Sequence, residues 1–229
     1  MRTAALAVLV ASAVLVAGCG GASSNGEAKK TPAQVLSDTK AAAISASGVH
    51  VAGTIVTAGN PLSLDLTIVS GKGGKGTLSE GGLGFELVSV GGKAYIRGSD
   101  AFYRKFAGAA AAALLRGKWL AGSATSGQFK TLGDITNIRS LMTQVTTQTT
   151  HGKLANDGET TYRGQRVDVI RDTSDGSRLY VAATGKPYPV AIVGGKTGDT
   201  GTVTFDRWNA TVALTAPTGA IDLSKLQGG

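Results

Sequence analysis

The residue of this chain best suited to covalent chemistry is Cys19, its only cysteine. It follows Ala17 and Gly18 at the end of an apolar run over residues 4–17, with Arg2 near the start. The run is shorter than the ~20 residues of a membrane-spanning helix, and small residues precede the cysteine, as in a lipoprotein signal. The sequence therefore predicts removal of residues 1–18 and acylation of the Cys19 thiol. The alternative is an ordinary signal with an incidental cysteine.

Three short strings follow the chain order of the S-x-x-K, S-D-N and K-T-G motifs of serine β-lactamases and penicillin-binding proteins. They start at Ser37, Ser174 and Lys196. That chemistry needs a serine at the start of a buried helix facing a strand, whereas Ser37 is predicted to lie inside a helix that no strand precedes. The second string also ends in Gly176 instead of asparagine. We expect no catalytic residues, and labelling of Ser37 by a β-lactam or fluorophosphonate probe would contradict this expectation.

Neither the glycine-rich nor the histidine-containing segments predict a cofactor or metal site. Residues 71–76 match G-x-G-x-x-G, but residues 77–79 continue as a strand and open no helix that could hold a pyrophosphate. A hairpin loop is the better interpretation. His50 and His151 are the only histidines, and neither belongs to a cluster with metal-ligand spacing, so we expect both on the solvated surface. The carboxylates are isolated, which leaves no acid–base pair to nominate.

The elements that must position any functional side chain begin with a helix over residues 31–47. Thr31 and Gln34 have the spacing of a capping box, and a proline lies between them at the first helical position. Before this helix, residues 19–30 are rich in glycine, serine and other polar residues, which predicts a flexible tether. Two further helices are predicted over residues 107–116 and 129–145.

Most of the remaining sequence alternates apolar and polar residues with the period of a β-strand. Strands are expected at residues 49–55, 62–68, 76–79, 84–90, 93–97 and 102–106, and later at 152–156, 160–171, 178–182, 189–193, 202–208 and 211–215. This order predicts a single α+β domain over residues 31–229. Its architecture is one large antiparallel sheet with the helices on one face.

Composition narrows the class of partner. The formal net charge is +8, but the basic residues are scattered and aromatic residues make up only 5% of the chain, which argues against nucleic acid. An exported, doubly acylated protein is retained at the outer face of the plasma membrane, where basic residues favour anionic headgroups. We therefore expect a lipid-anchored protein of the cell envelope, held by acyl chains such as palmitate on Cys19.

The assembled pattern resembles the mycobacterial and actinobacterial cell-envelope lipoproteins of the LprG and LppX type, relatives in fold of the LolA and LolB lipoprotein carriers. The segments that carry the resemblance are the lipobox ending at Cys19, the helix through Ser47, and residues 91–96, 161–170 and 201–208. The resemblance implies a half-barrel, in which a curved antiparallel sheet wraps over central helices and encloses a hydrophobic cavity. It also implies binding of acylated lipids or glycolipids and their transport across the envelope without covalent chemistry, with a membrane transporter as a further candidate partner.

The side chains expected to line such a cavity are those on apolar faces predicted to point inward. They are Val51, Ile55, Leu64, Leu66, Leu87, Leu115, Ile138 and Leu141. Periodicity identifies a buried face but does not show whether the space beneath it is empty. The alternative is therefore an envelope scaffold or partner-binding lipoprotein with the same sheet and a filled core.

Overall fold

Tight turns between alternating strands build the first half of the sheet. The computed structural model describes residues 23–148, 153–196, 200–210 and 212–225. In this first half of the sheet, three two-residue turns have positive φ at both positions, the type I′ geometry that matches strand twist. These turns are Ala58 and Gly59, Gly81 and Gly82, and Gly91 and Gly92. They join β1 (Gly48–Thr57) to β2 (Asn60–Val69), β3 (Gly73–Glu80) to β4 (Leu83–Val90), and β4 to β5 (Lys93–Gly98).

Seven further strands extend the sheet on both sides of this first half. These are β6 (Leu120–Ser123), β7 (Leu154–Tyr162), β8 (Gln165–Asp172), β9 (Arg178–Ala182), β10 (Pro189–Val193), β11 (Thr200–Asp206) and β12 (Ile221–Asp222). The spatial order is β12-β6-β5-β4-β3-β2-β1-β11-β10-β9-β8-β7, with every pair antiparallel except β12 and β6. The predicted α+β fold with one large antiparallel sheet is confirmed.

Four α-helices lie against one face of this sheet, which we call the inner face. They are α1 (Pro32–Ile44), α2 (Asp100–Leu115), α3 (Lys130–Ile135) and α4 (Ile138–Gln148), with short 3-10 helices at Glu27–Lys29, Gly127–Phe129 and Leu223–Lys225. The start of α1 is the predicted capping box. The Gln34 amide donates to the Thr31 hydroxyl (3.3 Å), and the Thr31 amide donates to the Gln34 side chain (3.0 Å).

Four predicted elements differ from the structure. The strand predicted over 160–171 is two strands, because Arg163 and Gly164 form a turn with positive φ between residues 162 and 165. Residues 102–106 belong to α2 and not to a strand, because Ser99 caps the helix by accepting from the Phe102 amide (3.1 Å). The helix predicted over 129–145 is broken after α3, and the Asn137 side chain caps α4 by accepting from the Ser140 amide (3.2 Å). The final strand predicted over 211–215 is absent from residues 212–215, which have no regular secondary structure.

The described part of the predicted tether is packed against the sheet. Ser24 forms a bridge with Thr184, the Asn25 amide donates to the Ala183 carbonyl (2.8 Å), and Glu27 is buried. The flexibility predicted as far as residue 30 is therefore wrong from Ser24 onward. Glycine and serine in this segment supply turn geometry and hydrogen bonds to the sheet, which composition alone does not reveal.

Two apolar clusters hold the helices on the inner face. The larger lies between β1 to β6, β11 and the helices α2, α3 and α4, and the smaller packs Val35 and Leu36 of α1 on β8 and β9. Among the described residues, no helix combines the length and apolar character needed to cross a membrane.

Candidate functional site

An apolar cavity of about 340 Å³ lies between the inner face of the sheet and the broken helix α3–α4. None of its described lining residues is charged. Its volume is near the lower end of the ~300–1,000 Å³ typical of small-molecule sites. The cavity is lined by Val51, Ile55, Thr57, Leu62, Leu64, Leu66, Leu78, Ile135, Leu141, Gln144, Val145, Ile192, Gly194, Thr200, Gly201, Thr202, Val203 and Phe205.

The floor of the cavity follows from strand alternation and register. Val51 and Ile55 of β1 point to the inner face with Leu66 and Leu62 as their partners on β2. Between them lies Gly53, which adds no side chain to this face. An added Cβ there would lie 2.1 Å from the Thr202 carbonyl oxygen, so close backbone approach requires glycine.

The cover is formed by Ile135 at the end of α3 and by α4, whose Leu141 and Val145 are one turn apart. The polar lining groups are Gln144 and the threonines at the ends of β1 and β11, including Thr57 and Thr200. An apolar interior with polar groups at one end is the arrangement that suits an amphiphile, because the chain is buried and the polar end stays in contact with water.

The structure brings together five of the eight side chains predicted to line a cavity: Val51, Ile55, Leu64, Leu66 and Leu141 all border this space. Leu87 and Ile138 are instead buried in the filled part of the larger cluster, at 1% and 3% exposure. Leu115 is partly buried against that cluster and does not reach the cavity.

Several lining residues were missed by the sequence analysis. Val203 and Phe205 alternate on β11 and pair with Gly53 and Val51, a neighbourhood that depends on the long-range pairing of β11 with β1. Ile192 follows on β10. Their apolar alternation predicts a buried strand face, but the sequence does not show that this strand lies beside β1.

The titratable groups with unusual surroundings lie away from the cavity. His50 is only 8% exposed, with Nδ1 2.6 Å from an Asp206 carboxylate oxygen and Nε2 3.1 Å from one of Asp65. The expectation of a solvated His50 is therefore wrong. The cause is cross-strand packing, since Asp206 and Asp65 belong to β11 and β2 on either side of it. His151 lies outside the described residues.

Two further titratable side chains, Asp168 and Lys30, belong to the region where the N-terminal segment meets the rest of the protein. Burial raises the pKa of the Asp168 carboxyl, helped by the negative charges of Glu159 and Glu27, and neither carboxylate oxygen has a hydrogen-bond partner. Hydrogen bonds to Asp38 and then Glu27 raise the pKa of Lys30 to about 12. Lys30 therefore joins the segment to α1 through Asp38, and neither Lys30 nor Asp168 lines the cavity.

The strings that resemble hydrolase motifs have ordinary structural surroundings. Ser37 is exposed on α1, and Ser174 lies in the turn after β8, where its hydroxyl donates to Asp172. Among the residues described, no three histidine, cysteine, aspartate or glutamate side chains form a group that could hold a metal ion. Cys19 lies outside the described residues.

Fold and site together define a single-sheet α+β protein in which helices cover one face and leave an apolar cavity beneath them. Neither a family model nor a curated protein sequence matches the chain. Two mycobacterial solved structures match most of the chain. LprF from Mycobacterium bovis has 17% identity and a TM-score of 0.51, covering 87% of this chain and 100% of its own. The Mycobacterium tuberculosis lipoprotein LppX has 16% identity and a TM-score of 0.49, covering 81% and 100%.

A third solved structure matches less well. The Pseudomonas aeruginosa complex MucA/MucB matches at 16% identity with a TM-score of 0.33, covering 86% of this chain and 61% of that chain. The similarity to LprF extends to the fold alone. At that level the resemblance to mycobacterial lipoproteins of the LprG and LppX type is confirmed.

Proposed function

We propose that this protein is an envelope lipoprotein that binds an acylated lipid or glycolipid in the cavity and helps carry it across the cell envelope. The observation that supports this best is the uncharged apolar cavity beneath α3 and α4. A chain of ~16 carbons in water costs on the order of 12 kcal/mol at ~0.8 kcal/mol per methylene, so aqueous transport requires a container. Binding needs only burial, and no covalent step is involved.

The cavity also argues against the alternative function, an envelope scaffold or partner-binding lipoprotein with a filled core. A scaffold with a filled core would pack side chains where this chain leaves about 340 Å³ between Leu64, Leu66 and Leu141. Because that volume is at the small end of ligand sites, we expect one acyl chain, or part of one, inside each molecule. Further chains and the headgroup of a larger lipid would remain outside, near the polar end at Gln144 and Thr200.

The location belongs to the same proposal. Residues 1–18 act as a signal, acylated Cys19 anchors the protein at the extracytoplasmic face of the plasma membrane, and the body from residue 31 onward forms one lipid-binding domain. A delivering or receiving partner, such as a membrane transporter, would complete the transfer. From Ser24 onward the chain is packed on the sheet. The polar composition after Cys19 therefore supports a flexible spacer only for the residues between Cys19 and Ser24.

Native mass spectrometry with lipid extraction tests the proposal on the whole mature chain, purified from an actinobacterial host without added ligand. A stoichiometric adduct of one acylated lipid, released on unfolding, is the expected result. A bare mass that is unchanged after incubation with envelope lipids would support the filled-core scaffold instead. The N-terminal peptide from the same sample shows whether Cys19 carries acyl chains.

A further inference from the structure

Helix α2 folds back on itself. A continuous helix of its 16 residues would be ~24 Å long. The Asp100 carboxylate, however, lies 2.7 Å from the Arg116 guanidinium just beyond the other end. The bend is at Gly108, where φ is 81° and ψ is 166°, a conformation that glycine adopts without strain. Residues 100–116 therefore form two short helical arms, which we call the α2 hairpin.

The base of the α2 hairpin is fixed to the sheet. Tyr103 is 1% exposed, and its hydroxyl accepts from the Gly98 amide (2.9 Å) and donates to the Lys118 carbonyl (3.0 Å). The Phe102 ring lies 5.2 Å from that of Phe85 on β4. These contacts tie both ends of the hairpin to one place, and Ala112 of the second arm is buried in the larger cluster, so the bend over residues 104–110 is the part that faces solvent.

The tip of the hairpin is exposed and apolar. Residues 104–110 are all exposed, and four of the five residues from Phe106 to Ala110 are phenylalanine or alanine. Phe106 is 66% exposed and Leu114 is 78% exposed. Across the described ranges these are the only two large apolar side chains in the exposed class, and both belong to α2. Exposed large apolar side chains on a single element are typical of an interaction surface.

The charges beside this apolar surface are mostly positive. Arg104, Lys105, Arg116 and Lys118 are exposed, whereas Asp100 is the one acidic residue between positions 99 and 119. Asp100 is already paired with Arg116. Phenylalanine and leucine next to lysine and arginine form the composition that binds the interface of an anionic bilayer, and each basic residue near such a surface adds attraction.

The hairpin stands beside the cavity. Gly98, which precedes it, pairs with Phe85 on β4, and Phe85 pairs with Leu78 on β3, a residue of the cavity wall. Strands in a sheet are ~4.8 Å apart, so the base of the hairpin is only ~10 Å from that wall.

We propose that the α2 hairpin docks on the surface of an anionic lipid bilayer, with Phe106 in the interfacial layer and the surrounding basic residues on the headgroups. Docking itself does not depend on a ligand in the cavity. Its consequence, that a lipid is exchanged at the point of contact, rests on the proposed function. The docked hairpin would bring the cavity wall close to the membrane.

A single fluorescent probe tests the docking in the full chain. Cys19→Ala removes the native thiol and the acylation, and Phe106→Cys then gives one site for an environment-sensitive label. The matched control is Lys72→Cys, an exposed position in the turn at the far end of β2. Excess vesicles of phosphatidylcholine with one-third phosphatidylglycerol are added, with and without a nitroxide-labelled lipid.

We expect the probe at position 106 to shift to shorter wavelength and to be quenched by the nitroxide lipid, while the probe at position 72 stays in water. Substituting Arg104→Gln and Lys105→Gln should weaken the vesicle-bound state about fivefold for each charge removed. Equal behaviour of the two probes would overturn the proposal, because the run over residues 4–17 would then account for binding. A dimer that forms without vesicles and is lost in Phe106→Ser would overturn it by assigning the surface to a second copy of the chain.

Two measurements on the same samples keep the proposals apart. Circular dichroism confirms that each variant is folded, and native mass spectrometry reports the lipid that co-purifies with it. Bound lipid without docking overturns only the docking proposal. Docking without bound lipid overturns only the proposal that the protein carries a lipid.

Discussion

Filling the cavity from its floor should weaken ligand binding strongly without unfolding the protein. Ile55 borders the cavity and is partly buried, whereas its neighbour Val56 points to the outer face of the same strand. Ile55→Trp therefore places an indole ring in the space that a ligand would occupy. Val56→Trp adds the same group to the opposite face and serves as the matched control.

The size of the effect follows from the volume. The cavity holds about 340 Å³, so the extra atoms of the indole take a large share of it. If they displace about three methylene groups of a bound chain, the lost burial is roughly 2.4 kcal/mol, a weakening of about 60-fold in Kd. Because the added ring fills empty space, the folded state should lose less than it would through overpacking of a filled core.

Titration with cis-parinaric acid, whose fluorescence rises in an apolar environment, measures this Kd. The expected result is a large loss of affinity for Ile55→Trp and none for Val56→Trp, with both variants folded by circular dichroism. Unchanged binding in a folded Ile55→Trp variant would refute the assignment of the cavity as the ligand site. Unfolding of Ile55→Trp alone would show that the space is too small to accept a ring, and Leu64→Trp, on the neighbouring strand, then repeats the test.

Four further predictions concern stability, measured by urea unfolding. Burial raises the pKa of Asp168, so keeping this carboxylate ionised at pH 7 lowers the free energy of unfolding. Asp168→Asn should therefore stabilise the protein by about 1–3 kcal/mol at pH 7. This gain should shrink toward pH 4, where the carboxyl becomes protonated in both the folded and the unfolded state. Asp157→Asn should do the opposite, because an arginine lowers the pKa of Asp157 and its stabilisation is lost as the pH falls. Gly53→Ala should cost more than about 1 kcal/mol through a backbone clash, whereas Gly84→Ala, whose nearest neighbours are 3.8 Å from an added Cβ, should have little effect. Thr31→Ala removes the helix cap and should cost about 1 kcal/mol.

Local signals predicted the strands and α1 because those elements are specified by short-range chemistry. The capping box at Thr31 and the two-residue glycine turns act within a few residues, so their effect is readable from sequence. The wrong prediction of a strand at residues 102–106 also concerns interactions between residues a few positions apart. Phe102 and Phe106 are four residues apart, their rings lie 4.8 Å apart on one helical face, and Ser99 supplies a cap that the strand interpretation overlooked.

The cavity was harder to predict than the helices and strands. Whether space is left empty depends on which residues pack against each buried face. Leu66 and Leu87 are both inward-facing leucines at 3% and 1% exposure, yet only Leu66 borders the cavity. Ile138 and Leu141 are likewise one turn apart on α4, and only Leu141 reaches it. Alternation assigns each residue to a face, whereas the space above that face is set by long-range pairing and by helix placement.

One close contact between the sheet and its cover contributes to the placement of these helices. Thr136, at the break between α3 and α4, is 1% exposed, and its hydroxyl donates to the Leu132 and Gly133 carbonyls, both at 3.0 Å. A Cβ added at Gly74 of β3 would lie 3.2 Å from the Thr136 side chain, so the break rests directly on that glycine. The cover therefore touches the sheet at β3, while the cavity lies over β1 and β11, where Gly201 adds no side chain to its lining. The position of the cavity therefore depends on the long-range pairing of β1 with β11 and on the contact of the helix break with Gly74.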